Sequence, residues 1–246
     1  MIDQLVTLAR QLGATEDDYA ILAEGNVSAP IDEHRLHVKA SGTSLRDATR
    51  DSFLEVRIDP MLALIDDPPE SEAEQNEALA ACANGNGTAR PSIETPLHAV
   101  AVRYGRARVV AHTHPTAVNA ILCSERAADL TRALFPDQVV VCGASPLLLP
   151  YTDPGLPLAR ALRDALLERG DRPPKTIYLR NHGLVALADT PQEALQITAM
   201  AVKAARVLQG ALGAGGPVFL TDEQAAAIDA RLDEHFRRDM LARHGA

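Results

Sequence analysis

The stretch Val109-Val110-Ala111-His112-Thr113-His114-Pro115 decides how the chain reads. Three apolar residues run straight into a His-x-His pair closed by a proline. A short apolar run bounded by such a break reads as a buried strand. Side chains at i and i+2 of a strand leave the same face, so His112 and His114 project together from its end. Pro115 lacks a backbone N–H and stops the ladder there. Two imidazoles so placed begin a divalent-metal site, each nitrogen binding zinc at about 2.0–2.1 Å. His182 offers a third ligand from the turn Asn181-His182-Gly183, between apolar segments at 176–179 and 184–187. Three histidines leave one coordination position open, the pattern of a catalytic rather than a structural site. The same residues are also compatible with histidines satisfied in a core or solvated at a surface. His34, His37, His98, His235 and His244 read as structural or solvated, with His98 ambiguous because it lies one turn after Glu94.

Outward from this strand, helical and strand periodicities alternate. Apolar spacing predicts a helix over 2–12, closed by Gly13. Strands are predicted over 35–40 and 53–58, and a short helix opens at Asp59-Pro60 and runs to Ile65. Residues 66–90, with Asp66-Asp67-Pro68-Pro69, a possible acidic helix and Gly85-Asn86-Gly87, read as an insertion or mobile loop rather than a domain boundary. Helices are expected over 95–104, 117–123 and 127–134, strands over 138–142 and 147–149, and a helix over 158–169. Thr190-Pro191-Gln192-Glu193 carries an N-cap, a proline at the first helical position and an acidic first turn, opening a long helix to about Leu212. A last helix is expected over 222–243. Strands and helices alternate without a strict βα repeat. This predicts an α/β fold, a three-layer α/β/α arrangement with a mixed, largely antiparallel central sheet, in a single domain of residues 1–246.

Composition narrows the function classes. The 246 residues are 46% hydrophobic, 23% charged and only 3% aromatic, with no Trp, so the core must be aliphatic. Few aromatics argue against a base-stacking surface. A net charge of −9 with no basic run beyond Arg237-Arg238 disfavours nucleic acid and anionic membranes as partners. A small anionic substrate stays open, because a few backbone N–H groups hold one phosphate. Cys82, Cys123 and Cys142 are odd in number and form no CxxC, as expected of reduced thiols. The N-terminus has no signal-like pattern and no apolar run nears the roughly 18 residues of a membrane helix, so the chain reads as soluble and cytoplasmic. Neither a Walker loop nor GxGxxG after a strand is present.

Five motifs occur in a fixed order: Glu24-Gly25-Asn26-Val27-Ser28, Ser41-Gly42-Thr43, Pro91-Ser92-Ile93-Glu94, His112-Thr113-His114-Pro115 and Asn181-His182-Gly183-Leu184. This order resembles the class II aldolase/adducin family over roughly residues 5–212. Each motif is short, and the specificity lies in all five together. The family includes fuculose-phosphate and rhamnulose-phosphate aldolases, ribulose-phosphate 4-epimerases and related decarboxylases. Residues 90–98 and 109–120 look most similar to the aldolase half of fused aldolase–dehydrogenases.

The resemblance implies a metal held by His112, His114 and His182, with Zn²⁺ expected or another divalent ion such as Mn²⁺ or Co²⁺. It implies Glu94 as the catalytic carboxylate, although an acidic residue at a helix N-terminus is favoured by the dipole alone. It implies a phosphate pocket at Asn26, Ser41, Gly42 and Ser92, which also read as ordinary turn residues. Ile93 replaces a second Ser found in several phosphate-using members, which leaves room for an unphosphorylated hydroxy-keto acid. Tyr151 resembles a tyrosine that reaches a neighbouring subunit's site; an interior Tyr bonded to backbone is the alternative. The implied activity is that of a metal-dependent lyase of carbohydrate metabolism. It would cleave a C–C bond of a small keto sugar, sugar phosphate or hydroxy-keto acid through a metal-stabilised enediolate. Epimerase and 3-keto acid decarboxylase readings use the same residues, and an adducin-like interaction module is the non-enzyme reading. A homotetramer is expected from the family.

Overall fold

The computed structural model describes residues 1–84 and 89–231. Among these, eight strands form one sheet: β1 (Asn26–Pro30), β2 (Arg35–Lys39), β3 (Phe53–Arg57), β4 (Ala83–Asn84), β5 (Val109–Thr113), β6 (Leu147–Leu149), β7 (Thr176–Leu179) and β8 (Gly183–Ala188), in the order β4-β3-β2-β1-β5-β8-β7-β6. Every neighbouring pair is antiparallel except β6 and β7. That parallel pair needs a crossover, which the chain makes through a helix. The helices are α1 (Ile2–Leu12), α2 (Ile58–Asp66), α3 (Glu72–Ala81), α4 (Thr95–Arg103), α5 (Thr116–Leu122), α6 (Pro136–Cys142), α7 (Leu156–Arg169), α8 (Pro191–Gly213) and α9 (Asp222–Asp229).

The period of two along the strands sorts the core into two clusters. Val109 and Ala111 of β5, with Leu184 and Ala186 of β8, pack with Leu5 and Leu8 of α1, Ile121 of α5 and Ile197 and Leu208 of α8. Val110 of β5, with Val185 and Leu187 of β8, packs with Met61 of α2, Leu97 and Val100 of α4 and Leu162 of α7. The alternation puts one helical layer on each face, as in the expected three-layer arrangement with a mixed, largely antiparallel sheet. His112 shares the parity of Val110, so its side chain leaves on the α4 face.

Three local expectations are corrected. Residues 138–142 form the end of helix α6, not a strand. The run Val139-Val140-Val141 suits either element by periodicity, and the surroundings decide. Pro136 presets the first helical turn, and the Gln138 Oε1 accepts the Leu134 N–H at 2.8 Å. Gly143, at φ +84°, ends the helix, and Cys142 is fully buried in the cluster that contains Ile197 of α8. The helix expected over 127–134 is a 3-10 turn, Ala127–Thr131. Of the stretch expected as an insertion or mobile loop over 66–90, the described part carries regular structure. Ser71 and Glu74 form a capping box at the start of α3, and β4 pairs with β3 to extend the sheet. Gly85-Asn86-Gly87 lie outside the described residues, as does the part of the last predicted helix beyond Arg231, with Arg237, Arg238, His235 and His244. No helix among the described residues is long and apolar enough to cross a membrane.

The predicted cap of α8 is present: the Thr190 Oγ1 accepts the Glu193 N–H at 3.1 Å. Because that helix lines one cluster from Ala194 to Leu208, Thr190→Ala is expected to lower the unfolding free energy by about 1 kcal/mol in urea denaturation. An unchanged midpoint would show that the cap contributes nothing.

Candidate metal centre

Three separate pieces of chain meet at one end of the central strands. β5 delivers His112 and, just past its last residue, His114. The turn between β7 and β8 delivers His182, and the N-terminal end of α4 delivers Glu94. The ladders set the heights: Asn26 of β1 and Val185 of β8 both lie opposite His112. The Leu179 carbonyl accepts the His182 N–H at 3.1 Å and closes the turn, and Asn181 sits at φ +54° within it. Asn tolerates that left-handed conformation better than most residues.

Three imidazoles and a carboxylate converge as a result. One ligand atom from each of Glu94, His112, His114 and His182 lies within 4.8 Å of all the others. The Nε2 atoms of His112 and His114 are 2.9 Å apart. The Glu94 Oε1 is 2.9 Å from His182 Nε2 and 3.3 Å from His112 Nε2. Nitrogens bound to one tetrahedral ion at about 2.0–2.1 Å stand roughly 3.3 Å from one another, so small ring movements bring this set onto a divalent ion. The donor chemistry also fits, since imidazole and carboxylate suit zinc and its neighbours. The outward face of one ring is already fixed: His112 Nδ1 meets the Leu184 carbonyl at 3.0 Å, which leaves Nε2 as the free ligand atom. His182 Nδ1 is buried without a hydrogen-bond partner.

Charge follows from burial and neighbours. Burial raises the Glu94 carboxyl, but the facing His112 and His182 imidazoles outweigh it and hold the group well below the usual carboxylate range. Burial lowers His112, yet Glu94 more than compensates and its affinity for a proton rises. Burial, with His112 and His182 close by, pushes His114 down to about 3. A ring that stays neutral at physiological pH is the form a metal binds.

Two glycines make room for this packing. A Cβ on Gly183 would lie 2.6 Å from the Thr113 carbonyl oxygen and 2.7 Å from the His114 ring. Gly25, at φ +71°, would place one 2.8 Å from the His112 carbonyl oxygen.

The other predicted residues divide. Asn26 belongs to the cluster: its Nδ2 donates to the Glu94 Oε2 at 3.0 Å. Ser92 Oγ accepts the Glu94 N–H at 3.2 Å and so sets the turn before α4. Ser41 and Gly42 lie at an exposed turn, where Gly42 adopts φ +76° and has open space around it. Tyr151 is 58% exposed and its hydroxyl donates to Asp153, so within this chain it is neither interior nor joined to the cluster.

Sequence reasoning left His98 ambiguous, one turn after Glu94, and passed over the rest of a polar layer there. Ser28, two residues after Asn26 on the same face of β1, meets His98 Nδ1 at 2.7 Å. His98 is wholly buried, its Nε2 unpartnered, and burial pushes it down to about 3. Lys39 is also buried; its Nζ donates to the carbonyls of Ala40 and Thr43, and burial lowers it to about 8 against the pull of Glu94. The available signal was parity: Asn26 and Ser28 on one strand, and Glu94 and His98 one helical turn apart.

Comparison with known proteins agrees with this geometry. Residues 3–209 match the Class II Aldolase and Adducin N-terminal domain family. The chain belongs to that family. Its fold resembles the N-terminal class II aldolase domain of a conserved protein from Thermoplasma acidophilum, with a TM-score of 0.68 and 26% identity over 84% of this chain and 92% of that one. It also resembles an L-fuculose 1-phosphate aldolase, with a TM-score of 0.70 and 20% identity over 96% of this chain and 95% of that one. A Bacillus subtilis protein named as the uncharacterized oxidoreductase YuxG is 27% identical over 161 residues, 65% of this chain. The match spans only 22% of that relative's length. Class II aldolases use divalent metals, and the His/Glu cluster found here is suited to one.

Gly183→Ala tests the packing of the ligands. The new methyl is expected to displace His114 and weaken divalent-metal binding at least tenfold by isothermal titration, in line with the roughly 10–100-fold losses seen when ligand orientation is disturbed. Wild-type affinity would mean that the rings do not depend on this contact.

Proposed function

We propose that this chain is a metal-dependent lyase of the class II aldolase type, acting on a small keto sugar, sugar phosphate or hydroxy-keto acid. One observation carries the reading: the Glu94 carboxylate lies within 3.3 Å of two imidazole Nε2 atoms that converge with a third. A structural site would close its coordination shell with unreactive ligands, whereas three imidazoles leave a position open and the carboxylate beside them has a proton-transfer role available. The resident ion proposed is Zn²⁺, with Mn²⁺ or Co²⁺ as alternatives; a divalent ion held here supplies Lewis-acid polarisation of a carbonyl oxygen.

The chain's own residues supply the rest. Glu94, held ionised, takes the proton from the substrate hydroxyl or carbon whose bond electrons reorganise, and returns it after the bond breaks. Asn26 holds the second carboxylate oxygen, so the basic oxygen keeps its direction. Asn26, Ser41, Gly42 and Ser92 are assigned to the far end of the substrate, where backbone N–H groups and hydroxyls favour an anion. Ile93, 48% exposed beside Ser92, offers no donor and favours an unphosphorylated hydroxy-keto acid over a sugar phosphate. Tyr151, exposed in one chain, is assigned to a neighbouring subunit's site in a homotetramer.

The test is a panel of keto sugars, their phosphates and hydroxy-keto acids, assayed for aldehyde, epimer and carbon dioxide with and without added divalent metal. His114→Ala is expected to abolish metal binding. Glu94→Gln is expected to retain a bound ion on the three histidines and lose about 10²–10⁴-fold in turnover. Full turnover in Glu94→Gln would remove this carboxylate from the chemistry. Wild-type protein that takes up no metal and turns over nothing would favour an adducin-like interaction module instead.

A further inference from the structure

Glu24 has no role in the mechanism above, yet its carboxylate faces a metal ligand. His114 turns Nε2 toward the cluster, 2.9 Å from His112 Nε2. Its other nitrogen, Nδ1, faces Glu24 Oε1 at 3.9 Å. A neutral imidazole that binds an ion through Nε2 must carry its proton on Nδ1. That N–H is a donor and needs an acceptor, and ligating histidines meet this need with a carboxylate, a carbonyl or water. His112 uses the Leu184 carbonyl. The facing group for His114 is Glu24.

The segment carrying Glu24 is built to hold it there. Glu24 Oε2 accepts the Ile21 N–H at 3.1 Å. Leu22 sits at φ +52° between them, a conformation uncommon for a residue with a branched side chain. The next residue, Gly25, is pressed against the His112 carbonyl oxygen. The same segment grips His114 by its backbone, because the Tyr19 carbonyl accepts the His114 N–H at 2.9 Å. Residues 19–25 thus bond the His114 N–H, leave no room for a side chain beside the His112 carbonyl, and bring a carboxylate to face the His114 ring. The distance of 3.9 Å is about 1 Å longer than a charge-assisted hydrogen bond. Glu24 and His114 line a shared cavity of about 380 Å³, so a small side-chain rotation or one bridging water closes the gap.

We infer that Glu24 is a positioning residue for the metal centre: its carboxylate takes the His114 Nδ1–H and fixes the ring with Nε2 aimed at the ion. The inference rests on the metal reading of the site. It adds a residue whose substitution leaves all four members of the cluster in place.

Cobalt titration of the full chain tests it, read by affinity and by the visible ligand-field spectrum, with apo melting temperature measured alongside. Glu24→Ala is expected to bind Co²⁺ about 10–100-fold more weakly, with a shifted spectrum and an apo melting temperature lowered only by the loss of the Ile21 N–H acceptor, about 2–4 °C. Glu24→Gln keeps one acceptor oxygen, enough for either the Ile21 or the His114 N–H, and loses the charge; it is expected to recover part of the loss. Wild-type affinity and spectrum in Glu24→Ala would overturn the inference. So would a loss of affinity with an unaltered spectrum and an apo melting temperature lowered well beyond that, which would mark collapse of residues 19–25. Failure of the wild type to bind Co²⁺ at all would instead sink the metal reading itself.

Discussion

β5 is held between β1 and β8 by two antiparallel ladders, and the registers of those ladders are the constraint from which the site follows. His112 is pinned opposite Asn26 on one side and Val185 on the other. A slip of one residue on either side would send its ring to the α8 face, because side-chain direction alternates strictly along a strand. The register is protected by the core on both faces: Val109 and Ala111 fill one cluster and Val110 the other. Burial therefore does more than stabilise the sheet. It fixes the face from which the His112 ring leaves the sheet, and the Leu184 carbonyl then decides which of its nitrogens stays free.

Around that fixed point the protein gathers groups that are costly to bury. Glu94, His98, His112 and Lys39 are all buried, and an unpaired charge in such a place would be expensive. The cost is offset locally. Glu94 is faced by two imidazoles and an amide, and Lys39 by two carbonyls. The compensation is incomplete, since His98 Nε2 and His182 Nδ1 have no hydrogen-bond partner. A buried unsatisfied polar atom costs about 1–3 kcal/mol. Polar groups concentrated at one end of a sheet, part of them unsatisfied, set this end apart from the aliphatic packing elsewhere in the described residues.

The short segments that shape the site are as constrained as the strands. Gly183 and Gly25 stand where any side chain would strike the backbone or rings of the His-x-His pair. Asn181 and Leu22 hold left-handed conformations in the two turns that flank the cluster. Such positions are tolerated when surrounding contacts determine them, and here the contacts are those of the cluster itself.

The sequence by itself determined a good part of this. Apolar runs bounded by turns located β5, β7 and β8, helical spacing located α1, and the capping signature Thr190-Pro191-Gln192-Glu193 located α8, because those signals are local and strong. Strand parity put His112 and His114 on one face, and motif order pointed to Glu94 and His182. What it left undecided were matters of packing. The valine run over 139–141 became helix because Pro136, Gln138 and the contact with α8 outweighed β-propensity. Ala83 and Asn84 joined the sheet through a two-residue pairing too short to register as periodicity. The polar layer of Ser28, His98 and Lys39, and the approach of Glu24 to His114, were settled only by the tertiary structure. Those contacts join residues 70 and 90 positions apart in the chain, such as Ser28 with His98 and Glu24 with His114, and distances of that kind are set by how sheet and helices close on one another.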